Sequence, residues 1–319
     1  MLKNTCNICS RGCNLNKGSF CGKYKLNNDG EIESTTKDIL VSGISVDPIE
    51  KKPLYNYKPG TNTLSLGSTN CNFECIHCQN HEIAQPDTSI SLTKITIEEI
   101  ITACKNNNCE SIAWTYNEPT LLLPQAIETA KQAQIHDLKT IFVTNGYQTI
   151  SSIDKMKGYV DAVNIDIKSM SNKFYKNICK ARLKPVLQAT EEFVKSDIHT
   201  EITNLLIPGY NDKPKNIRKL AQFIHSLSKD IPLHLTRFYP NYKLLDAPIT
   251  PIETLNQAYD ICKEEGLKYV YLGNIKSDKI NTYCPNCNSL VIYRQDGIKL
   301  FYDKKENICL NCGYKINIK

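Results

Sequence analysis

The sequence of 319 residues contains no long hydrophobic run. No uninterrupted apolar stretch reaches the ~20 residues that a transmembrane helix needs. The N-terminus, MLKNTCNICSRGC, is polar and lacks the apolar core of a signal peptide. These absences argue against export and membrane insertion, and they predict a cytoplasmic protein.

The sequence also has no large excess of positive or negative charge. Lysine and arginine number 39 against 33 aspartate and glutamate, which leaves a net charge of +6. A balance this mild favours a solvated, lysine-rich surface over a nucleic-acid-binding face. Affinity for an acidic partner protein or a phosphate is left open.

Cysteine, in contrast, is abundant: there are 15, mostly in short clusters. The reducing cytosol disfavours disulfides, so clustered thiols indicate ligands for metals or iron–sulfur clusters. Their pattern divides the chain into a cysteine-rich N-terminal metal-binding region (1–62), a core (63–276) and a C-terminal region (277–319).

The core alternates between strand-like and helix-like segments. Seven β-branched or aromatic runs predict strands, at TLSLGST, SIAWTY, TIFVTN, AVNIDIK, TEITNLLIP, LHLTRFYP and KYVYLG. Helical patterns lie between most of them, at TIEEIITACKN, LLPQAIETAKQAQIHD, KPKNIRKLAQFIHSL and PIETLNQAYDICKEEG. This alternation predicts a parallel sheet, in a doubly wound fold or a full or partial (β/α) barrel. Polar residues at successive strand ends favour a barrel with its site at the C-terminal mouth.

Two C-x2-C knuckles lie near the C-terminus. We call their residues, Cys284, Cys287, Cys309 and Cys312, the C-terminal cysteine group. Paired knuckles of this kind are typical of a zinc ribbon, with iron as the alternative metal. The segment between them predicts a β-hairpin that turns at Asp296 and Gly297. The simplest role is structural, since so small a region cannot fold on its own core, and binding of a substrate or partner is the alternative.

Four more cysteines lie near the N-terminus. The N-terminal cysteine group, Cys6, Cys9, Cys13 and Cys21, has spacings that match neither a ribbon nor a ferredoxin loop well. Zinc is the first interpretation, and a second iron–sulfur cluster is the alternative. Four solitary thiols are interpreted as packing residues: Cys104, Cys109, Cys179 and Cys262.

The segment STNCNFECIHCQNHE follows the first predicted strand and carries the cysteine triad, Cys71, Cys75 and Cys78. A structural zinc site uses four ligands, and no fourth thiol lies close by in the sequence. Three thiolates can instead bind three irons of a [4Fe-4S] cluster and leave one iron open. An open position is typical of a reactive site, whose missing ligand is a substrate or cosubstrate.

This C-x3-C-x2-C loop after the first strand of a βα barrel resembles the radical S-adenosylmethionine (radical SAM) superfamily, over about Thr63 to Asn274. The resemblance implies a partial (β/α)6 TIM-like barrel in which the open iron binds the methionine part of SAM. One electron from the reduced cluster then cleaves SAM, and the 5'-deoxyadenosyl radical abstracts hydrogen from a substrate. It assigns no acid–base catalytic residue, because the radical performs the chemistry.

The resemblance also implies cofactor-binding residues at the strand ends. YNEP matches the family's Gly-Gly-Glu-Pro segment, and because both glycines are replaced, Glu118 is carried over more readily than Asn117. The other predicted SAM-site residues are Thr144, Asn145 and Gly146 in VTNGY, Asp166 and Lys168 in NIDIK, Ile207 and Gly209 in LLIPGYND, and His234 and Arg237 in HLTRFYP. Simpler interpretations stay open: Asp166 and Lys168 could form only a buried ion pair. His234 could be a core histidine, and His77 is predicted to pack beside the cluster.

The order of these motifs, with CNICSRGCNL...GSFCG before them and CPNC...CLNCG after them, resembles AmmeMemoRadiSam system radical SAM proteins, relatives of pyruvate formate-lyase activating enzymes. It implies an external electron donor of the flavodoxin or ferredoxin class, an anaerobic setting, and a protein substrate or Memo-like and AMME-region-like partners. Only Cys104 and Cys109 lie between Cys78 and Trp114, too few for the ferredoxin-like insert of many glycyl-radical activating enzymes. We expect a radical SAM enzyme; the alternatives are a glycyl-radical activase and a non-catalytic zinc-bearing binding protein.

Overall fold

The structure is a computed structural model that describes residues 4–86 and 90–319. In these ranges the strands are β1 Tyr24–Leu26, β2 Ile32–Ser34, β3 Ile39–Val41, β4 Gly43–Pro48, β5 Asn62–Gly67, β6 Thr93–Ile95, β7 Cys109–Trp114, β8 Lys139–Thr144, β9 Ala162–Asp166, β10 His199–Leu206, β11 Leu233–Arg237, β12 Val270–Gly273, β13 Thr282–Tyr283, β14 Leu290–Tyr293, β15 Lys299–Leu300, β16 Tyr302–Asp303 and β17 Ile308–Cys309. The α-helices are α1 His81–Ala84, α2 Ile97–Asn106, α3 Leu123–Gln134, α4 Ile150–Met156, α5 Asn172–Phe174, α6 Leu183–Lys195, α7 Pro214–Leu227 and α8 Ile252–Glu264. A π-helical turn, Tyr175–Cys179, follows α5.

Eight strands form the central sheet, in the order β12-β11-β10-β9-β8-β7-β5-β4. Strands β5 and β7 to β12 are parallel, whereas β4 runs antiparallel to β5 at one edge. Six of the parallel strands are followed by helices that lead to the next strand. Within the described residues the edge strands β4 and β12 do not pair, so the sheet is open. The predicted mixed α/β fold with a central parallel sheet is confirmed.

Local sequence accounts for these elements. Parallel strands covered by helices are buried on both faces, and β7 is buried throughout from Ser111 to Trp114. Helix α2 begins with a capping box, in which the side chains of Thr96 and Glu99 each accept from the other's backbone N–H. Helix α8 ends just before Gly266, whose φ of 88° fits the predicted C-cap.

The seven predicted strands and four predicted helices are all present, but among the other elements sequence analysis misses the sheet strand β4 and the helices α4 and α6. Helix α6 carries Pro185 in its first turn, where backbone N–H groups have no partner within the helix, so the ring is tolerated. Strand β4 ends at Pro48 and pairs along the whole of β5. Proline is tolerated there because β4 is an edge strand. The predicted boundary at residue 62 coincides with the first residue of β5.

The two cysteine-rich regions dock at opposite ends of the central sheet. At the carboxyl ends of the strands, the Ser10 N–H donates to the Tyr147 carbonyl oxygen (2.8 Å) in the loop after β8. At the amino ends, Tyr271 of β12 packs in a hydrophobic cluster with Val291 and Ile292 of β14. Strands β14 and β15 form the predicted hairpin, with Gly297 at φ 90° in its turn. No helix in the described ranges is both long and apolar enough to cross a bilayer.

Candidate active site and metal centres

A cavity of about 350 Å³ lies at the carboxyl ends of the central strands. The cysteine triad lines it, on the loop that follows β5. Six of the predicted SAM-site residues line the same cavity: Asn117, Glu118, Thr144, Asn145, Asp166 and Lys168. The fold thus brings together, at the position where α/β proteins bind ligands, residues that are up to about a hundred positions apart in the sequence.

The thiols of the cysteine triad lie in a low-dielectric environment. Burial raises the pKa of Cys71, and it raises the pKa of Cys78 to about 11. A hydrogen bond with Cys179, a thiol predicted to be inert packing, is the largest cause of the raised pKa of Cys75. Buried thiols of this kind lose their protons when they bind a cationic metal centre, which replaces the lost solvation. Three such donors around one cavity fit an iron–sulfur cluster.

His77 adds a second indication that the cavity accommodates a further group. Its ring is 3% exposed and lines the cavity, as the predicted packing position requires. Burial lowers its pKa to about 3, so the imidazole is neutral. Its Nδ1 has no hydrogen-bond partner in the described part of the chain. Neutral imidazole beside the thiols is compatible with a cluster and adds no charge to it.

Glu118 joins the ends of β7 and β8. Its Oε1 accepts from the Thr144 hydroxyl (2.8 Å) and the Thr120 N–H (3.1 Å), and its Oε2 accepts from the Asn145 N–H (2.8 Å). Burial raises the pKa of Glu118, and these hydrogen bonds oppose the rise. The carboxylate therefore holds both strand-end loops in a fixed geometry around the cavity.

Tyr116 and Asn117 stand where the family's segment has two glycines. Tyr116 has a φ of 69°, a conformation that glycine favours, so the backbone keeps a glycine-like shape despite the substitution. Its hydroxyl donates to Oδ2 of Asp47 (2.9 Å), which anchors the ring. The Asn117 side chain donates to the Asn70 carbonyl oxygen (2.9 Å), and this bond ties the end of β7 to the cysteine-bearing loop.

Asp166 and Lys168 form an ion pair in which Nζ lies 2.8 Å from Oδ2. Burial alone would lower the pKa of Lys168, but the neighbouring Asp166 carboxylate outweighs it and raises that pKa. Asn211 donates to the Lys168 carbonyl oxygen (2.7 Å) and fixes the backbone at this point. Both sequence interpretations therefore describe the same feature, because the ion pair also lines the cavity.

Five predicted cofactor-binding residues are not among the residues that line the cavity: Gly146, Ile207, Gly209, His234 and Arg237. His234 is a core histidine, since its Nε2 contacts Oε2 of Glu201 (2.7 Å) and its ring packs edge-on against Tyr55. The Nε of Arg237 donates to the Thr250 carbonyl oxygen (2.8 Å), which directs the guanidinium to the loop before α8. We therefore leave both out of the proposed SAM site.

The remaining three shape the loops rather than the cavity wall. Gly146, at φ 68°, lies so close to Ile165 that an added Cβ would come within 2.8 Å of its side chain. The Ile207 N–H donates to Oδ1 of Asn211 (2.7 Å), and Gly209 sits in the same tight turn at φ 78°. This turn places Asn211, which sequence analysis did not single out, against Lys168.

Sequence analysis also missed a polar group that reaches the cavity from β4 and the segment after it. Lys52 lines the cavity, and its Nζ lies 2.9 Å from Oδ2 of Asp47, which also accepts from the Ser65 hydroxyl (2.8 Å). Burial would raise the pKa of Asp47, but Lys52 and Ser65 outweigh it and lower that pKa. Asp47 and Lys52 lie in a proline-punctuated segment with no strand signal, so their position follows only from the pairing of β4 with β5.

The C-terminal cysteine group forms a compact set of ligands. All four sulfurs lie within 4.8 Å of one another, and the closest contacts, Cys284 to Cys312 and Cys287 to Cys309, are 3.7 Å. Sulfurs bound about 2.3 Å from one tetrahedral ion stand at this separation. The group therefore fits a single metal ion. Among the described residues it is the one group of three or more cysteine, histidine or carboxylate side chains this close together.

The N-terminal cysteine group lines a second, small cavity beside the loop of the cysteine triad. Cys6, Cys9 and Cys21 are at most 9% exposed. Asn72, the neighbour of Cys71 in the sequence, lines the same cavity. The four thiols thus line one cavity, with Cys13 half-buried, and no three of their sulfurs come as close together as those of the C-terminal group.

Comparison with known proteins identifies the class. The profile of the radical SAM superfamily matches residues 66–221, and the chain belongs to this superfamily. An uncharacterised protein of Methanocaldococcus jannaschii is 40% identical over 320 residues, which span 98% of this chain and 95% of that protein. The predicted superfamily is confirmed.

Two more distant likenesses agree with this class. The 4-hydroxyphenylacetate decarboxylase activating enzyme of Clostridium scatologenes is 24% identical over 164 residues, 49% of this chain and 51% of that enzyme. The crystal structure of a radical SAM methyltransferase from Sphaerobacter thermophilus has the same fold, with a TM-score of 0.54 over 78% of this chain and 75% of that one, at 12% identity.

Proposed function

We propose that this protein is a radical SAM enzyme that binds a [4Fe-4S] cluster on the cysteine triad and SAM in the adjoining cavity. The observation that supports this most is the convergence of the three thiols of the cysteine triad, the Glu118 carboxylate and the Asp166–Lys168 pair on one cavity. The cluster and SAM together supply reductive C–S cleavage and a 5'-deoxyadenosyl radical, which abstracts hydrogen from a substrate that is not identified.

The chain's own residues bind and orient. Oε2 of Glu118 accepts one hydrogen bond, from Asn145, so it retains acceptor capacity for the amino group of SAM. Lys168 uses one of its three N–H donors on Asp166 and retains others for a carboxylate. These roles match the two ends of an amino acid, which is the part of SAM that an open iron would chelate.

Cleavage of SAM tests this function directly. The protein is reconstituted anaerobically with iron and sulfide, reduced with dithionite, given SAM, and assayed for 5'-deoxyadenosine by chromatography. The triple variant Cys71→Ala/Cys75→Ala/Cys78→Ala should form none, whereas Cys262→Ala, which removes a buried thiol in α8, should behave like the parent. A parent that binds only zinc would overturn the proposal in favour of a zinc-bearing binding protein.

A second candidate is a glycyl-radical activase that acts on a protein partner. The likeness to an activating enzyme favours it, while the missing ferredoxin-like insert argues against the activases that carry one. A glycyl-radical EPR doublet on mixing the reduced protein, SAM and a candidate partner would establish it. Either function requires an external low-potential donor of the flavodoxin or ferredoxin class.

We propose zinc for the C-terminal cysteine group, where the sulfur spacing fits one tetrahedral ion.

A further inference from the structure

The N-terminal cysteine group is organised as a set of ligands. Cys6, Cys9 and Cys21 are buried, and each accepts from a backbone N–H two residues further along the chain, in Ile8, Arg11 and Lys23 respectively. Cys13 accepts from the Phe20 N–H at 3.5 Å. Backbone donors aimed at all four sulfurs stabilise thiolates, as the ligands of a metal ion or of an iron–sulfur cluster require.

The spacing of these sulfurs distinguishes a cluster from a single ion. The C-terminal cysteine group, at 3.7 to 4.8 Å, shows what one tetrahedral ion requires in this same chain. No three sulfurs of the N-terminal group come that close together, although all four are described by the structure. In a [4Fe-4S] cluster each thiolate binds a different iron, so the ligands stand further apart.

Asn72 connects this group to the cysteine triad. It is fully buried, and its Oδ1 accepts from Nδ2 of Asn145 (2.6 Å), which also lies 3.7 Å from the Cys71 sulfur. Its Nδ2 has no close hydrogen-bond partner in the described ranges, and it lies beside the Cys9 thiol, to which it is a weak donor. A buried amide donor in this position can bond the sulfur of a thiolate or of a cluster.

The two loops are also fixed to each other. The Nε of Arg11 donates to the Asn72 carbonyl oxygen (2.7 Å) and its Nη2 donates to the Lys180 carbonyl oxygen (2.9 Å). We infer that the N-terminal cysteine group binds a second [4Fe-4S] cluster, which passes electrons to the cluster of the cysteine triad across the layer formed by Asn72. This reverses the order of the two sequence interpretations, in which zinc came first.

The electron balance is simple. One electron arrives from a reduced flavodoxin or ferredoxin, reduces the second cluster, and leaves it oxidised again when the same electron moves to the first cluster. No atom is transferred and no proton is required. The electron-transfer role rests on the proposed function, whereas the identity of the bound group does not.

Metal analysis of the triple variant Cys71→Ala/Cys75→Ala/Cys78→Ala, expressed with added iron and reconstituted anaerobically with iron and sulfide, tests the bound group without disturbing its ligands. Two clusters predict about eight irons and eight sulfides per parent chain and about four of each in this variant. The reduced variant should keep an EPR signal that SAM does not change, and adding Cys9→Ser and Cys21→Ser should abolish it. A variant without iron, or with two zinc ions per chain, would overturn the inference.

Kinetics with two reductants tests the electron path. Cys9→Ser/Cys21→Ser should slow 5'-deoxyadenosine formation at least about tenfold more with reduced flavodoxin than with dithionite, since the small reductant reaches the first cluster by itself. Equal losses with both reductants would mean that these cysteines only support the loop. If the parent forms no 5'-deoxyadenosine at all, the proposed function fails, and the iron count of the triple variant still decides whether a second cluster exists.

Discussion

The two four-cysteine groups use the same ligand type and number at opposite ends of one sheet. The C-terminal group lies at the amino ends of the strands, with its sulfurs gathered around one point and Cys312 exposed. The N-terminal group lies at the carboxyl ends, is more buried and more widely spaced, and shares Asn72 with the cysteine triad. Sulfur spacing and neighbours, rather than cysteine count, are therefore what distinguish the proposed structural zinc site from the proposed electron-transfer site.

The largest effect is expected at the C-terminal group. Cys309→Ser should release about one zinc per chain and unfold residues 277–319, because a structural zinc contributes on the order of 10 kcal/mol of binding free energy. Metal content and limited proteolysis measure both. The central sheet and the iron content should be retained. Loss of iron together with zinc would break the comparison, since the two groups would then depend on each other.

A smaller effect is expected at Glu201, which supports the amino end of the sheet. This fully buried carboxylate pairs with His199 (2.9 Å) and His234 (2.7 Å), and it accepts from the backbone N–H groups of Tyr55 and Asn56. Glu201→Gln should lower the free energy of unfolding by about 3 kcal/mol, because it breaks a buried charge network. Denaturant unfolding measures this, with the exposed Glu128→Gln as control. SAM affinity should stay at the parent value; a large change would place His234 back in the SAM site.

The same carboxylate predicts a dependence on pH. Burial would raise the pKa of Glu201, but the hydrogen bonds from the two histidines outweigh it and lower the pKa to about 2, from an ordinary 4.5. Its contribution to stability is therefore complete above pH 4.5 and is lost as the pH falls toward 2. The free energy of unfolding of the parent should fall over this pH range. For Glu201→Gln the fall should be smaller by the contribution of Glu201. The same pH dependence of stability in the parent and in Glu201→Gln would contradict a lowered pKa of Glu201.

An intermediate effect is expected for Asn72→Ala, beside the N-terminal cysteine group at the carboxyl ends of the strands. Asn72→Ala removes the acceptor for Asn145 and the buried amide donor beside Cys9, and it should cost about 1–2 kcal/mol of stability. The reduction potential of the second cluster should fall by tens of millivolts, because hydrogen bonds to cluster sulfurs raise it. Redox titration followed by EPR measures the shift. An unchanged potential would indicate that Asn72 is only a packing residue.

The smallest effect is expected for Arg11→Lys. Lysine keeps the charge but cannot form both guanidinium bonds, to Asn72 and Lys180, or stack in the same way on Phe20. We expect a loss of about 1 kcal/mol in unfolding and faster loss of iron in air. Arg218→Lys, in an exposed ion pair with Glu264 and Glu265, serves as the matched control. Equal behaviour of the two variants would show that the N-terminal loop is held by other contacts.

Much of the fold could be predicted because the patterns that indicate its strands and helices lie within short stretches of the sequence. Buried parallel strands such as β8 contain short apolar runs, here Ile141 to Val143, and the cysteine triad has a characteristic spacing. Two of the missed elements, α6 and β4, contain a proline that breaks a local rule. Pro185 is tolerated only because it falls in a first helical turn, and Pro48 only because β4 is an edge strand.

The site could be predicted less completely, because the direction of a side chain depends on distant segments. A strand-end motif indicates that polar residues are present, and it does not indicate which of them reach the cavity. His234 carries no local sign that Glu201, on the neighbouring strand, holds it in the core. Asn72 carries no sign that two remote cysteine clusters meet at its side chain. These contacts depend on strand order and loop docking.

The docking of the N-terminal loop also has a consequence for synthesis on the ribosome. Arg11 bonds to Lys180, which lies 169 residues further along the chain. At ordinary translation rates Lys180 is added roughly 10–30 s after Arg11. During this interval the four N-terminal thiols emerge without the surface that encloses them, open to whichever thiophilic metal is present. The metal recovered with this group will therefore depend on the supply of iron and zinc while the chain is being made, as well as on the geometry of the finished site.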